Sequence, residues 1–263
     1  MDVIELLPRL HLLRFPVGQA YLWRDGDDDL TLIDAGPAGS GERIAASAAA
    51  LGRVRRVVLT HFHEDHVGGA REVAALTGAE VVAHALEAPV VRGEVPGPPP
   101  VFEDWERPLH ADAVRRLPQG GFDRPARVTE VSDGDVLDFG GGARVVHAPG
   151  HTDGSIGLHL PRHGVLFTGD AVAASPVDGS VMLGVFNVDR DRSVGSFGRL
   201  ADLDTDVACF GHGDPVTGGA GEALRASART YGAVGCRQPT GVPASRYSAA
   251  PRSRARRAQR SRS

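Results

Sequence analysis

Apolar and polar positions alternate in short runs through both halves of the chain, and in each half the runs give way to helical spacing. In the first half, Ile4–Phe15, Ala20–Arg24 and Leu30–Ile33 carry the period-two pattern of half-buried strands. Asp25-Gly26-Asp27 is a hairpin connection between the last two. Gly41–Leu51 is Ala-rich with helical spacing, and Val54–Thr60 is apolar enough for a buried strand. A helix is expected from His66 or Val67 to Leu76, closed by Gly78, followed by a short strand over Glu80–Ala83. The second half repeats the arrangement. Strands are expected near Arg127–Val131, Val136–Asp138, Ala143–His147, Ser155–Leu160, Gly164–Thr168 and Asp206–Phe210, with helices near Arg192–Leu203 and Gly219–Thr230. The pattern predicts an α/β chain with two packed sheets flanked by helices.

Two segments break the regularity. Ala85–Arg127 contains Gly97-Pro98-Pro99-Pro100 and then Val101, Phe102 and Trp105. Long loops in a compact domain are usually functional covers or disordered. Ser180–Arg190 carries Met182, Leu183, Val185 and Phe186 ahead of Asn187 and Asp189. Phe102, Trp105, Met182, Phe186 and Asn187 are therefore the candidate substrate-pocket residues, with ordinary core packing as the alternative.

The densest chemistry follows the apolar run Val57-Val58-Leu59. His61-Phe62-His63-Glu64-Asp65-His66 places two histidines two residues apart and then an Asp-His pair, so its side chains can reach two sides of one turn. His61 and His63 can hold one ion, and Asp65 and His66 a second, because neutral imidazole and carboxylate are the usual ligands of zinc and its first-row neighbours. Partners lie downstream, each at a strand end next to a Gly: His151 in Ala-Pro-Gly-His-Thr, Asp170 in Phe-Thr-Gly-Asp-Ala and His212 in Phe-Gly-His-Gly-Asp-Pro. His84, His110, His147, His159 and His163 read as structural or surface residues. The strand pattern directs His147 away from His151.

These motifs, with Asp34 in Leu-Ile-Asp-Ala-Gly, resemble in kind and order those of the metallo-β-lactamase superfamily, from about Ile4 to about Arg229. The resemblance implies a four-layer αββα sandwich with the site along one sheet edge. It implies that His61, His63 and His151 bind a first metal, that Asp65, His66 and His212 bind a second, and that Asp170 bridges them. Asp34 would orient the cluster without being a ligand. The implied cofactors are two divalent metal ions, zinc foremost, with manganese and iron as alternatives. Two such ions about 3.5–4 Å apart share a water and lower its pKa towards 7. The expected catalyst is a metal-bridging hydroxide, with Asp170 holding the pair together and Asp65 helping a proton to the leaving group.

Composition narrows the choice. The 29 basic residues are all Arg, which removes Schiff-base lysine chemistry and a P-loop. No G-x-S-x-G elbow occurs. The two cysteines, Cys209 in an apolar run and Cys236 beyond the last helix, build no disulfide framework. The acidic start, Met1-Asp2-Val3-Ile4-Glu5, and the lack of a long apolar segment lead to the expectation of no leader, no membrane span and a cytoplasmic location. Residues 237–263 hold eight Arg and no Asp or Glu, so the formal net charge of −4 divides into −12 on the rest and a basic tail. The expected division is a catalytic domain over 1–231, with 85–127 as its pocket loop, and a basic disordered tail over 232–263.

Among branches of the superfamily, an acidic bridge at Asp170 departs from the class B β-lactamases. Glyoxalase II shares all seven ligands but has a helical, basic C-terminal domain for glutathione that is not found here. Flavodiiron proteins carry Glu at the position of His63 and need a flavin domain. The nuclease branches add basic arms or motifs absent from this chain, and an acidic body opposes phosphate backbones. The expected activity is hydrolysis of a small ester, lactone or thioester. The alternatives are an iron-dependent persulfide dioxygenase-like redox enzyme, disfavoured by the intact second ligand set, and more remotely a phosphodiesterase or nuclease. A small molecule is the expected partner, with no nucleic acid and no membrane; the oligomeric state is not encoded in any motif.

Overall fold

Adjacent residues on one strand go to different cores, which is what the period-two pattern demands. The computed structural model describes residues 1–26 and 28–232. The first half runs β1 (Asp2–Leu7), β2 (Leu10–Arg14), β3 (Gln19–Arg24), β4 (Asp29–Ile33), α1 (Gly41–Ala49), β5 (Arg53–Val58), α2 (Glu64–Val67), α3 (Ala70–Thr77) and β6 (Glu80–His84). Then come α4 (Ala88–Val91), α5 (Glu106–Arg116), β7 (Thr129–Val131), β8 (Val136–Leu137), β9 (Ala143–His147), β10 (Ile156–Leu160) and β11 (Val165–Gly169). The chain continues through β12 (Val172–Ala174), β13 (Val181–Leu183), α6 (Arg190–Ala201), β14 (Val207–Phe210), β15 (Val216–Thr217) and α7 (Ala220–Gly232).

Strands β1 to β7 form one sheet in chain order, antiparallel as far as β4 and parallel from β4 to β7. The second sheet runs β15-β14-β11-β10-β9-β8, with β11 and β14 parallel, and β12–β13 make a separate ribbon. Leu12, Tyr21, Ile33 and Val58 of the first sheet meet Val145, Leu158, Phe167 and Cys209 of the second in a shared central core. Their sequence neighbours Leu13, Leu22, Leu32 and Val57 turn the other way and pack on Ile44 of α1 and Val73 of α3. On the far side, Val146, Leu166 and Ala208 pack on Phe197 and Leu200 of α6 and Leu224 of α7. The layers are helix, sheet, sheet, helix: the αββα sandwich. Phe167 is 1% exposed and meets Tyr21 edge-on at 5.5 Å between ring centroids; truncating such a side chain to Ala costs about 3–5 kcal/mol. Cys209 lies in this core, and burial pushes its thiol up, away from reactivity.

Four expectations need correction. The single strand over Ile4–Phe15 is two strands, turned at Pro8-Arg9. The helix expected to run through Leu76 divides into α2 and α3 at Gly68-Gly69, because the Pro37-Ala38 backbone packs where a Gly68 side chain would stand. Its end is as expected: Gly78 adopts φ +74 and donates its N–H to Ala74 O. The 85–127 segment is not a bare loop but carries α4 and α5, and Ser180–Arg190 contains β13. Asp27 of the expected hairpin turn, Cys236 and all of the expected 232–263 tail except Gly232, which ends α7, lie outside the described residues. Among the described residues, no helix is long and apolar enough to cross a membrane.

Candidate metal centre

The fold brings together the residues that follow five strands. Asp34 follows β4, the His61–His66 turn follows β5, His151 follows β9, Asp170 follows β11 directly, and His212 follows β14. Parallel pairing of β4 with β5 and of β11 with β14 presents two of these strand ends together in each sheet.

Three ring nitrogens converge first. His61 Nε2 is 3.1 Å from His63 Nδ1, and His151 Nε2 is 3.3 Å and 2.9 Å from those two atoms. Ligands at about 2.0–2.1 Å around a tetrahedral zinc lie about 3.3 Å apart, so these separations suit one ion. A second group forms on the other side of His66. Asp65 Oδ2 lies 3.5 Å from His66 Nε2 and 3.2 Å from His212 Nε2. Asp170 touches both groups: Oδ2 is 3.6 Å from His151 Nε2, 3.9 Å from His61 Nε2 and 3.2 Å from His212 Nε2, and Oδ1 is 3.3 Å from His66 Nε2. His66 Nε2 and Asp170 Oδ1 are buried with no hydrogen-bond partner, an arrangement that a cation placed between them would satisfy. Oxygen and imidazole donors in this ratio fit zinc, manganese or iron.

Charge is arranged to match. Burial pushes His61 well below its ordinary range, with the charge of His66 acting the same way. Burial likewise takes His63 down to about 3, helped by His151. The first three imidazoles are therefore held neutral, with lone pairs free. In the second group burial alone would lower His212 and raise Asp65. The mutual attraction of the acids and histidines prevails, raising His212 to about 10 and holding Asp65 and Asp170 below the usual carboxylate range. A metal ion on these atoms would displace the protons and take over their charge.

A ring of outer contacts fixes these side chains. Asp34, at φ +58 and 3% exposed, sits 2.9 Å from His66 Nδ1 and accepts from Thr60 N–H at 2.7 Å. Thr60 Oγ1 lies 3.0 Å from His61 Nδ1, so one carboxylate steadies a histidine of each group. The His212 loop is held by β3: Gln19 Nε2 donates to Phe210 O and Gly213 O, and Tyr21 Oη donates to Phe210 O. Gly211 is required by close approach, because a side chain there would collide with Asp170 Oδ1.

The chain matches a family model described as the metallo-beta-lactamase superfamily over residues 13–212. It belongs to that superfamily. The probable metallo-hydrolase YflN of Bacillus subtilis (strain 168) is 29% identical over 204 residues, 71% of this chain and 76% of the relative. A hydroxyacylglutathione hydrolase of Cereibacter sphaeroides (strain ATCC 17029 / ATH 2.4.9) is 32% identical over 120 residues, covering 45% of this chain and 34% of that protein. Among solved structures, a metallo-beta-lactamase family protein from Thermus thermophilus superposes with a TM-score of 0.61 at 27% identity, covering 87% of this chain and 80% of its own. Superfamily members bind divalent metals, and this chain holds His/Asp groups suited to them.

Of the candidate pocket residues, Phe102 and Phe186 meet at 6.1 Å between centroids, and His110 of α5 packs between them at 4.7 Å and 5.2 Å. Trp105 is 42% exposed at the start of α5, and Met182 sits on β13 opposite Ala173. The Asn187 amide is turned inward, donating to Gly184 O and accepting from Ser193 Oγ. His147 stacks flat on His84 at 4.4 Å, His159 Nε2 lies 2.9 Å from Asp204 O, and His163 packs on Trp23.

Two buried acids escaped the sequence reading. One is Glu106, 4% exposed in the first turn of α5. Glu87, 1% exposed, accepts from Phe62 N–H at 2.8 Å, Thr152 Oγ1 at 2.9 Å and Gly154 N–H at 2.7 Å. Burial pushes its carboxyl up to about 7 despite those donors. It ties the turn carrying His61 and His63 to the loop carrying His151. Glu87→Ala should lower the unfolding free energy of the metal-free protein by about 2–6 kcal/mol, because it orphans the Phe62 and Gly154 N–H groups and each donor orphaned in the interior costs about 1–3 kcal/mol. Urea denaturation measures this, and a loss near zero would mean that the carboxylate ties nothing.

Proposed function

We propose that this superfamily member is a dinuclear hydrolase of a small carboxylic ester, lactone or thioester. The observation that carries the reading is Asp170, whose Oδ2 lies 3.6 Å from His151 Nε2, 3.9 Å from His61 Nε2 and 3.2 Å from His212 Nε2. His61, His63 and His151 would hold one cation, Asp65, His66 and His212 the other, with Asp170 common to both. Bound cations would acidify a shared water and polarise an acyl oxygen.

The chain's own residues supply the rest. His61 and His151, both buried, and half-buried His63 offer neutral donors, while His212 is 38% exposed and would face an entering substrate. Asp65, whose Oδ2 lies 3.2 Å from His212 Nε2, would relay a proton to the departing alkoxide or thiolate. Phe102, His110 and Phe186 offer an apolar cluster for an acyl or aryl group. Acyl-group hydrolysis is also what the hydroxyacylglutathione hydrolase relative is named for.

Elemental analysis of gently purified protein should approach two equivalents of metal per chain, zinc foremost, and a screen of the zinc- and manganese-loaded protein should find ester, lactone or thioester hydrolysis. One reproducible equivalent of iron with hydrolysis absent would replace this reading with a redox one.

A further inference from the structure

The Val185–Phe186 peptide group is bonded at both ends. Its carbonyl oxygen lies 3.0 Å from His151 Nδ1, and its N–H donates to Glu106 Oε1 at 3.1 Å. A carboxylate, a planar amide and an imidazole are thereby joined in series. Phe186 has φ +61, a left-handed conformation that a bulky aromatic residue adopts only when its surroundings impose it. The imposition is visible: Phe102 and His110 pack against the Phe186 ring, and Val101 N–H donates to Asn187 O at 2.9 Å. Glu106 is 4% exposed in the first turn of α5, and its other oxygen accepts from Glu103 N–H at 2.9 Å. A charge kept out of water in this way needs a use for both oxygens.

We propose that Glu106 is a positioning residue for His151, acting through the Val185–Phe186 peptide. Its charge polarises the amide and strengthens the carbonyl as an acceptor of His151 Nδ1–H. The imidazole is then fixed in the tautomer whose Nε2 lone pair faces His61 and His63. Carboxylates commonly orient a metal-bound histidine directly, and their loss costs about 10–100-fold in metal affinity. Here one amide stands between, and it makes α5 part of the support of the centre. The inference rests on the reading that His151 is a ligand.

The test is zinc affinity of the first-bound equivalent, measured by chelator competition on the full chain. Glu106→Gln keeps the shape and an acceptor for Phe186 N–H but removes the charge; it should weaken that equivalent by about 10-fold. Arg107→Ala, in the same turn of α5 but outside the series, should leave it within about twofold, as a control on disturbance of the helix. In the unmodified protein, adding zinc should shift the Phe186 amide proton downfield, a readout that needs no variant to fold. Unchanged affinity in Glu106→Gln, or a Phe186 amide indifferent to zinc, overturns the proposal. If His151→Ala binds the first equivalent as tightly as the unmodified chain does, the ligand assignment falls and the proposal with it.

Discussion

Asp170→Ala should cut kcat/KM for the best acyl substrate by about 1,000-fold or more, on the order of 4 kcal/mol of transition-state stabilisation, while the chain still folds. The reason is positional. Asp170 is the side chain with an oxygen near histidines of both groups, within 3.2 Å of His212 and 3.6 Å of His151, and its second oxygen is 3.3 Å from His66. Its removal opens one face of each proposed metal position at once. Folding should survive because the sandwich cores lie behind the site and none includes Asp170. His66→Ala is the informative companion. His66 sits with Asp65 and His212, so its loss should release one equivalent of metal and leave the His61–His63–His151 equivalent in place. Metal content, circular dichroism and turnover, read together on both variants, decide the matter. Two retained equivalents in Asp170→Ala, with more than a tenth of the turnover, would rule out a shared bridge.

The layers of the fold were legible because binary patterning reports burial, and the central strands β2 to β5 feed two cores. Leu12 and Leu13, or Val57 and Val58, are indistinguishable as residues yet face opposite layers, as period two requires. The convergence of the His and Asp groups was legible because the His61–His66 turn follows a strand, and His151, Asp170 and His212 each follow a glycine at or beyond the end of one. Glu87 and Glu106 were not legible. Each acts by accepting from the main chain of a segment distant in sequence, from Phe62 and Gly154 in one case and Phe186 in the other. A backbone N–H has no sequence signature, so its acceptor cannot be paired with it in advance. His110 reads as structural or surface, and it packs as a structural residue; what was not legible is the helix that carries it. The place of His110 between Phe102 and Phe186 depends on α5, and 85–127 carried too many turn residues to read as helical. The break at Gly68-Gly69 was hidden because it serves the approach of the Pro37-Ala38 backbone, not a turn.

Aryl esters, acyl lactones or thioesters should exceed bis-aryl phosphodiesters and RNA by about 100-fold or more in kcat/KM, on the order of 2.7 kcal/mol in discrimination. Apolar contact and charge both favour the acyl substrates. Phe102, His110 and Phe186 form an aromatic cluster joined to the proposed centre through Val185, whose carbonyl meets His151. Burying an acyl chain against such rings gains about 25 cal/mol per Å² of apolar area, which RNA cannot match; a bis-aryl phosphodiester brings rings of its own and is disfavoured by the cost of desolvating its anionic phosphate. The nearby cations are already engaged: the Arg107 guanidinium lies over the Phe102 ring and beside Asp104, and that of Arg190 over Tyr231. With no Lys in the chain and a formal charge of −12 outside residues 237–263, a polyanion meets repulsion on approach. That long-range term is screened within about 8 Å at physiological salt, so most of the preference must come from contact. Phe102→Ala and Phe186→Ala should therefore raise KM for long acyl chains more than for acetyl esters. If phosphodiesters win by a wide margin on the metal-loaded protein, the acyl assignment is wrong, and the grouping of His61, His63 and His151 opposite Asp65, His66 and His212 around Asp170 would need a different substrate at the same centre.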